Sequence, residues 1–220
     1  MTSSLEPVPT SAAPKPVPPR PSPSSLTVLC LLRAGPLHPY GMQRLIKEWG
    51  KESVVNIGQR ANLYKTIKRL HEAGLIAVHR TERDHQYPER TVYELTEEGH
   101  AVGLRWLADM LATPRNEYPE FPAALSFAML LGPEKLAALL AERSAALEVS
   151  LAEVDAELGA LGGTLPRVTT LETEYQRAVM VAELDWLRPV IEDLRSGALS
   201  WTAEQLAALA DELSERSPYL

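Results

Sequence analysis

Residues 58–75 read Gly58-Gln59-Arg60-Ala61-Asn62-Leu63-Tyr64-Lys65-Thr66-Ile67-Lys68-Arg69-Leu70-His71-Glu72-Ala73-Gly74-Leu75. The spacing of Leu63, Ile67 and Leu70 predicts a helix over residues 59–73. At ~100° per residue the three fall within about 40° of one another and form a buried stripe. Gly74 then stands where a helix ends on a left-handed C′ residue. The opposite face consists of Gly58, Ala61, Asn62, Lys65, Lys68 and Arg69: small, polar and cationic, with no carboxylate before Glu72. Tyr64 lies about 100° from the stripe, at its boundary, where it can either pack partly or reach a phosphate, the second being the expectation.

Upstream, Leu26, Val28, Leu29, Cys30, Leu31 and Leu32 form a short apolar element that reads as a buried helix stopped by Gly35-Pro36. His38-Pro39-Tyr40-Gly41 opens a second helix, Pro39 suiting an N-terminal position, with Met42, Leu45, Ile46 and Trp49 at helical spacing and Gly50 at its end. Downstream, Leu75–Val78 and Thr91–Leu95 are β-rich runs separated by a charged loop from Thr81 to Arg90, and read as a hairpin. Thr96 caps a further helix, with Glu97 and Glu98 in its first turn complementing the dipole. Its apolar content is Val102, Leu104, Trp106, Leu107, Met110 and Leu111. Three helices and a hairpin, the third helix cationic, is the order of a winged helix-turn-helix, in which the third helix enters the major groove and the wing lies on the flanking backbone. The candidate DNA contacts are Tyr40, Gly58, Arg60, Asn62, Tyr64, Lys65, Lys68 and Arg69 on the helices, and Arg80, Arg83, His85 and Arg90 around the wing. Asn62 carries an amide able to pair with adenine, a cation on the same face can read guanine, and Gly58 and Ala61 allow close backbone approach.

The remainder of the chain differs in character. After an apolar stretch from Phe121 to Leu131, Gly132-Pro133 starts a long helix in which Leu140, Leu147, Val154 and Leu161 recur every seven residues. With Leu136, Leu151 and Leu158 beside them they form a partner-seeking stripe. Gly162-Gly163 and Pro166 break the chain, and a second long helix carries Val168, Leu171, Tyr175, Val179, Ala182, Trp186, Val190 and Leu194. Pro189 should kink that helix or end it locally. Thr202 and Gln205 form a capping box before a last short helix with Leu206, Leu209 and Leu213. The fold class expected is mainly α with a small β-hairpin: a disordered Pro-rich tail over 1–23, a winged-helix domain over 24–112, and a helical dimerisation and effector domain over 113–220. Leu140, Leu147, Leu151, Val154, Leu158 and Trp186 are the candidate dimerisation residues.

The chain has 220 residues and a formal net charge of −7. The first 23 residues contribute +1, residues 24–112 contribute +2 together with all five histidines, and residues 113–220 contribute −10. Eight of the 18 prolines fall in the first 23 residues, which hold almost no large apolar side chains and cannot offset the entropy of ordering. One cysteine, Cys30, excludes an intramolecular disulfide and a thiolate metal cage; in its apolar run it reads as a small core residue. No stretch approaches a membrane span, so a cytoplasmic, nucleoid-associated protein is expected.

Three ordered motifs carry a resemblance: His38-Pro39-Tyr40-Gly41; Gly58-x4-Leu63-Tyr64-x5-Leu70-x3-Gly74-Leu75-Ile76; and Arg90-x2-Tyr93-x-Leu95-Thr96-x2-Gly99. Over about residues 26–112 the chain resembles the N-terminal domain of PadR-type transcriptional regulators, and Arg177-Ala178 with Trp186-Leu187 is similar in outline to their helical C-terminal domain. The resemblance implies a dimeric bacterial repressor joined by its C-terminal helices, some members of the family responding to small aromatic or drug-like molecules. Lys65 departs from the proline frequent after that tyrosine, and Tyr87-Pro88-Glu89-Arg90 replaces a Gly-rich wing tip.

The five histidines at 38, 71, 79, 85 and 100 show no i, i+4 pair and no supporting cluster, so no metal is expected. No cofactor loop or catalytic motif is present, so the chain does not read as an enzyme. The competing reading is a winged-helix protein-protein interaction module that does not touch DNA.

Overall fold

The computed structural model describes residues 19–51, 54–55, 60–84, 87–161 and 165–216. It divides into two compact units, Met1–Asn116 and Glu117–Leu220.

In the first unit α1 (Pro23–Leu31) begins earlier than its apolar run suggests. Ser22 is the N-cap, its Oγ accepting from Ser25 N at 3.2 Å, and Pro23 occupies the first turn, where a missing N–H costs nothing. Residues 19–23, part of the stretch expected to be tail, are described and lead into α1; residues 1–18 lie outside the described residues. A 3₁₀ turn over Leu32–Ala34 ends at Gly35, φ +144°. Helix α2 (Pro39–Glu48) is capped by His38, whose Nδ1 accepts from Gly41 N at 2.7 Å. Met42 and Ile46 are buried as their spacing predicts, whereas Trp49 is the C-cap and is 53% exposed. Helix α3 (Arg60–Glu72), strands β1 (Ile76–Asp84) and β2 (Tyr87–Leu95), and helix α4 (Glu97–Ala112) complete the unit. One core joins Val28, Leu29, Met42, Leu63, Ile67, Leu70, Leu75, Val102 and Trp106. Leu104, Leu107 and Leu111, counted in the apolar content of α4, are exposed instead. Cys30 is likewise on the outer side of α1 and not in the core.

The expected charged loop over 81–90 is largely strand. Pairing continues through Thr81↔Thr91 and Glu82↔Arg90 to Asp84↔Tyr87, with register shifts between Val78/Arg80 and Glu82/Asp84. Ladder hydrogen bonds need no apolar alternation in a ribbon that leaves the core, so hydropathy underestimates its length. Leu37 pairs with Tyr93 through two 2.9 Å bonds, adding a short third edge at the wing's base.

In the second unit α5 (Glu120–Leu125), α6 (Pro133–Leu161), α7 (Leu171–Ser196) and α8 (Ala203–Arg216) follow in order. Helices α6 and α7 pack antiparallel, with ion pairs Arg143–Glu183 and Asp155–Arg177 at successive levels. Their core is Leu136, Ala137 and Leu140 against Leu187, Ile191 and Leu194. Pro189 sits inside α7 without ending it. Trp201 closes the unit by donating its indole N–H to Met129 O and Leu131 O at 3.0 and 3.1 Å. The capping box at Thr202 and Gln205 forms in both directions.

Candidate nucleic-acid interface

Helix α3 presents two unlike faces. Leu63, Ile67 and Leu70 are at most 2% exposed, and Thr66 is buried beside them. Asn62, Lys65, Lys68 and Arg69 are all exposed, and Tyr64 is 55% exposed at the boundary. The helix ends in a Schellman motif: Leu75 N donates to Leu70 O and Gly74 N to His71 O, each at 2.9 Å, with Gly74 at φ +71°. A left-handed glycine there turns the chain sharply from α3 into β1, which fixes the wing relative to the helix.

A second joint holds both to α4. Thr96 Oγ1 lies 2.9 Å from Gly74 O and from Leu75 O as donor and accepts from Gly99 N at 3.0 Å, while Thr96 N donates to Leu75 O at 3.2 Å. Gly99 lets α4 approach so closely that a Cβ there would stand 2.8 Å from Leu75 C and nearer still to its oxygen. Sequence reasoning recognised Thr96 as a cap, but the steric role of Gly99 belongs to the tertiary approach and had no local signal beyond its place in the motif.

At the start of α2, Tyr40 is 59% exposed and stacks on His38, ring centroids 6.1 Å apart. Lys68 lies 3.8 Å from Glu72, both well exposed. On the wing, Arg80 and Arg90 are exposed and each makes an interaction within the chain. His79 Nδ1 is 2.7 Å from Glu94 Oε2 on the neighbouring strand. Gly58 and His85 lie outside the described residues; Arg60 and Arg83 are placed as the first residue of α3 and as part of β1, without a description of their side chains. Among the described residues no group of His, Cys, Asp and Glu is arranged to hold a metal. None of the helices there is long and apolar enough to cross a membrane. Burial pushes the Cys30 thiol above its ordinary range, with Arg33 pulling weakly the other way.

The candidate dimerisation residues divide. Leu140 is 4% exposed in the unit's own core, and Leu147, Leu151, Val154 and Leu158 are part-buried on α6. Trp186 is 44% exposed on α7, its ring edge-on to Phe121 at 6.1 Å between centroids. Leu171, Tyr175 and Val179 are 50%, 71% and 47% exposed. On a helical wheel these four and Ala182 lie within about 80° of one another, opposite Leu184, Leu187, Ile191 and Leu194. Helix α7 thus has two apolar faces, one packed and one open, which a single apolar count along the sequence merges.

A winged helix with a cationic third helix, braced by a capped turn and a paired wing, defines a DNA-binding regulator. Residues 28–103, within the first unit, match the model of the transcriptional regulator PadR-like family. Solved structures are similar along most of the chain. Bacillus subtilis PadR in complex with operator DNA is 20% identical, the match covering 77% of this chain and 98% of that one with a TM-score of 0.61. Bacillus subtilis PadR in complex with p-coumaric acid is 20% identical over 78% and 98%, with a TM-score of 0.57. The Vibrio cholerae virulence activator AphA is 16% identical over 79% and 98%, with a TM-score of 0.58. At such identities the likeness establishes the fold. No curated protein matches the chain.

Proposed function

We propose that the protein is a dimeric, cytoplasmic transcriptional repressor that binds a two-fold operator, with α3 of each subunit in the major groove and the wing on the flanking backbone. One observation carries this: the outward face of α3 offers Asn62, Lys65, Lys68 and Arg69 with only the small Ala61 as an apolar residue beside them, opposite a stripe that is wholly buried. Asn62 and Lys65 read base edges. Tyr40, Tyr64, Lys68 and Arg69 contact phosphates, and Arg60, Arg80, Arg83, His85 and Arg90 extend the contact, with Gly58 at the approach to α3. The operator complex of Bacillus subtilis PadR, which shares the fold, supports the DNA partner.

The open face of α7 is the centre of the subunit interface, joined by the part-buried residues Leu147, Leu151, Val154 and Leu158. The two α3 helices then stand about one DNA turn apart, ~34 Å. The p-coumaric acid complex of the same relative supports a small aromatic effector that releases the operator.

The test is duplex binding to the protein's own promoter region across a salt series. Log K should fall linearly with log salt; Lys68→Gln should reduce the slope by about 1 per operator half, while Lys65→Gln should weaken operator binding and relax the preference for one base. Binding that ignores salt would refute the reading and favour an interaction module that leaves DNA alone. Sedimentation of a Tyr175→Glu, Val179→Lys variant should show monomers; a dimer would refute the interface. Deleting the gene should raise expression from the bound promoter, and a fall would make the protein an activator.

A further inference from the structure

The second unit leaves two apolar features uncovered at opposite ends of its α6–α7 pair. At one end Leu165 and Val168, just before α7, are 48% and 72% exposed and run on to Leu171 at the start of the open face. At the other end α8 follows α7. Leu206, Leu209 and Leu213 fall within about 60° of one another on its helical wheel, a stripe that wants a partner. The capping box starts this helix, and its root is held by the two hydrogen bonds of Trp201 to the carbonyls of Met129 and Leu131, just ahead of α6. Yet among the described residues none of α8 joins the core of its unit, and no other element packs along it.

Within one chain the two features cannot meet. Helix α7 has 26 residues and is about 39 Å long, whereas α8 has 14 and is about 21 Å long. Laid straight back along its own α7 from the Trp201 root, α8 ends well short of Val168. A second copy closes the gap. A two-fold axis across α7 beside Ala178 and Val179 sets Tyr175 against the partner's Ala182 and Leu171 against the partner's Trp186. The bulky tyrosine then packs on an alanine, where a parallel pairing would stack it on its own copy. In the antiparallel arrangement the partner's Val168 comes level with Pro189 and the partner's Leu165 with Glu192. Both lie within about 11 Å, along the axis, of Ser196, where α7 ends.

We propose that α8 is an exchanged arm: the face carrying Leu206, Leu209 and Leu213 docks on Leu165 and Val168 of the partner subunit, once at each end of a two-fold dimer. This rests on the reading of the protein as a dimer joined through the open face of α7. The occupant is a second copy because the arm begins where that face ends, and because the patch that matches it lies out of reach in its own chain. Exchange covers both apolar features with one contact and leaves the outward face of α3 untouched.

Cross-linking of the full-length protein tests this, with Cys30, the chain's one cysteine and an exposed one, changed to serine. A Leu206→Cys chain and a Val168→Cys chain, one enlarged by a fused tag, are mixed, left to exchange subunits and treated with a short bismaleimide. The mixture should yield a cross-linked pair containing one of each. Neither variant alone should cross-link, since the two arms, like the two patches, lie at opposite ends of the dimer. In sedimentation, Leu206→Glu, Leu213→Glu should weaken the dimer about tenfold or more while the chain melts like the wild type, α8 adding nothing to its own core. Cross-linking of Leu206→Cys to itself would show that α8 pairs with α8 and would overturn the exchange. A dimer that gives no mixed cross-link, or that is unmoved by the double glutamate variant, would overturn the arm alone. A wild-type protein that sediments as a monomer would refute the dimer itself.

Discussion

Replacing Gly99 with alanine should damage this protein far more than replacing Gly103, one turn further along the same helix. At Gly99 the added methyl would stand 2.8 Å from Leu75 C, closer to Leu75 O, and 3.0 Å from Leu95 Cδ1; at Gly103 it would meet Leu29 Cβ at 3.5 Å, an ordinary contact. To relieve the first overlap α4 must retreat by on the order of 1 Å, since a backbone carbonyl cannot rotate aside as a side chain does. That retreat stretches the Thr96 bonds, now at 2.9 to 3.2 Å. Overpacking costs about 1–3 kcal/mol. Two weakened hydrogen bonds add about 0.5–1.5 kcal/mol each. The gain in helix propensity returns about 1 kcal/mol. The net loss is about 3 kcal/mol, whereas Gly103→Ala should be neutral or stabilise by up to about 1 kcal/mol. Urea unfolding followed by circular dichroism measures both, and a unit of this size should lose roughly 12–20 °C in Tm for Gly99→Ala. If Gly99→Ala costs less than about 1 kcal/mol, or if the two variants behave alike, the close approach of α4 to the turn after α3 is wrong.

Glu72→Gln should raise operator affinity about two- to fivefold at low salt by removing a carboxylate beside Lys68, 3.8 Å away, and the gain should vanish at high salt. An affinity that stays the same at low salt would place Lys68 away from the backbone. His38→Ala should cost about 1 kcal/mol in thermal unfolding through the lost cap on Gly41 N, and His38→Asp should recover most of it; equal losses would show that the imidazole acts by packing. The hydrogen bond from Arg167, opposed by partial desolvation and helped by Thr170, holds the Glu174 carboxyl below its ordinary 4.5. A depressed folded value means that this contribution is present above 4.5 and is lost as pH falls through the folded value. Glu174→Gln should therefore flatten the acid limb of the stability profile below about pH 4.5 by lowering the neutral plateau slightly, the pair being exposed, while the acid end stays unchanged. An unaltered acid limb would remove Glu174 from the titration.

The elements that could be read from sequence are those whose signal is local. Leu63, Ile67 and Leu70 mark the buried side of α3 because its core contact repeats at the helical period, and Gly74 marks its end because only glycine takes φ +71° without strain. Thr96 and the pair Thr202 and Gln205 are caps whose partners lie three residues away. What escaped the sequence depends on partners far along the chain. The wing is longer than its β-rich runs because Glu82 and Arg90 pair through their backbones, which leaves no trace in hydropathy. Leu140 repeats with Leu147 and Val154 at seven residues, yet α7 of the same chain takes up Leu140. A heptad stripe states that a helix wants a partner and is silent about whether the partner is its own chain. Leu171, Tyr175, Val179, Ala182 and Trp186, the open face of α7, stand in the sequence series in one row with Leu194 of the packed face, so the sequence names the residues without separating the two faces.

Charge placement now constrains how the protein meets DNA. Between Arg80 and Arg90 the wing holds three arginines and three carboxylates, Glu82, Asp84 and Glu89, so it contributes shape and register but little net attraction. Helix α3 holds Arg60, Lys65, Lys68 and Arg69 against Glu72 alone, so on the proposed reading it is the main source of phosphate affinity. A dimer carries twice the −7 of one chain, most of it after residue 113, and at physiological salt that repulsion is screened beyond about 8 Å. Approach from a distance is therefore unassisted, and binding must come from contacts made at close range by two correctly spaced helices. The consequence is a regulator with weak affinity for random duplex and a specificity that depends on dimer geometry. Separating the subunits through Tyr175 and Val179 should accordingly cost operator affinity far more than it costs binding to non-specific DNA.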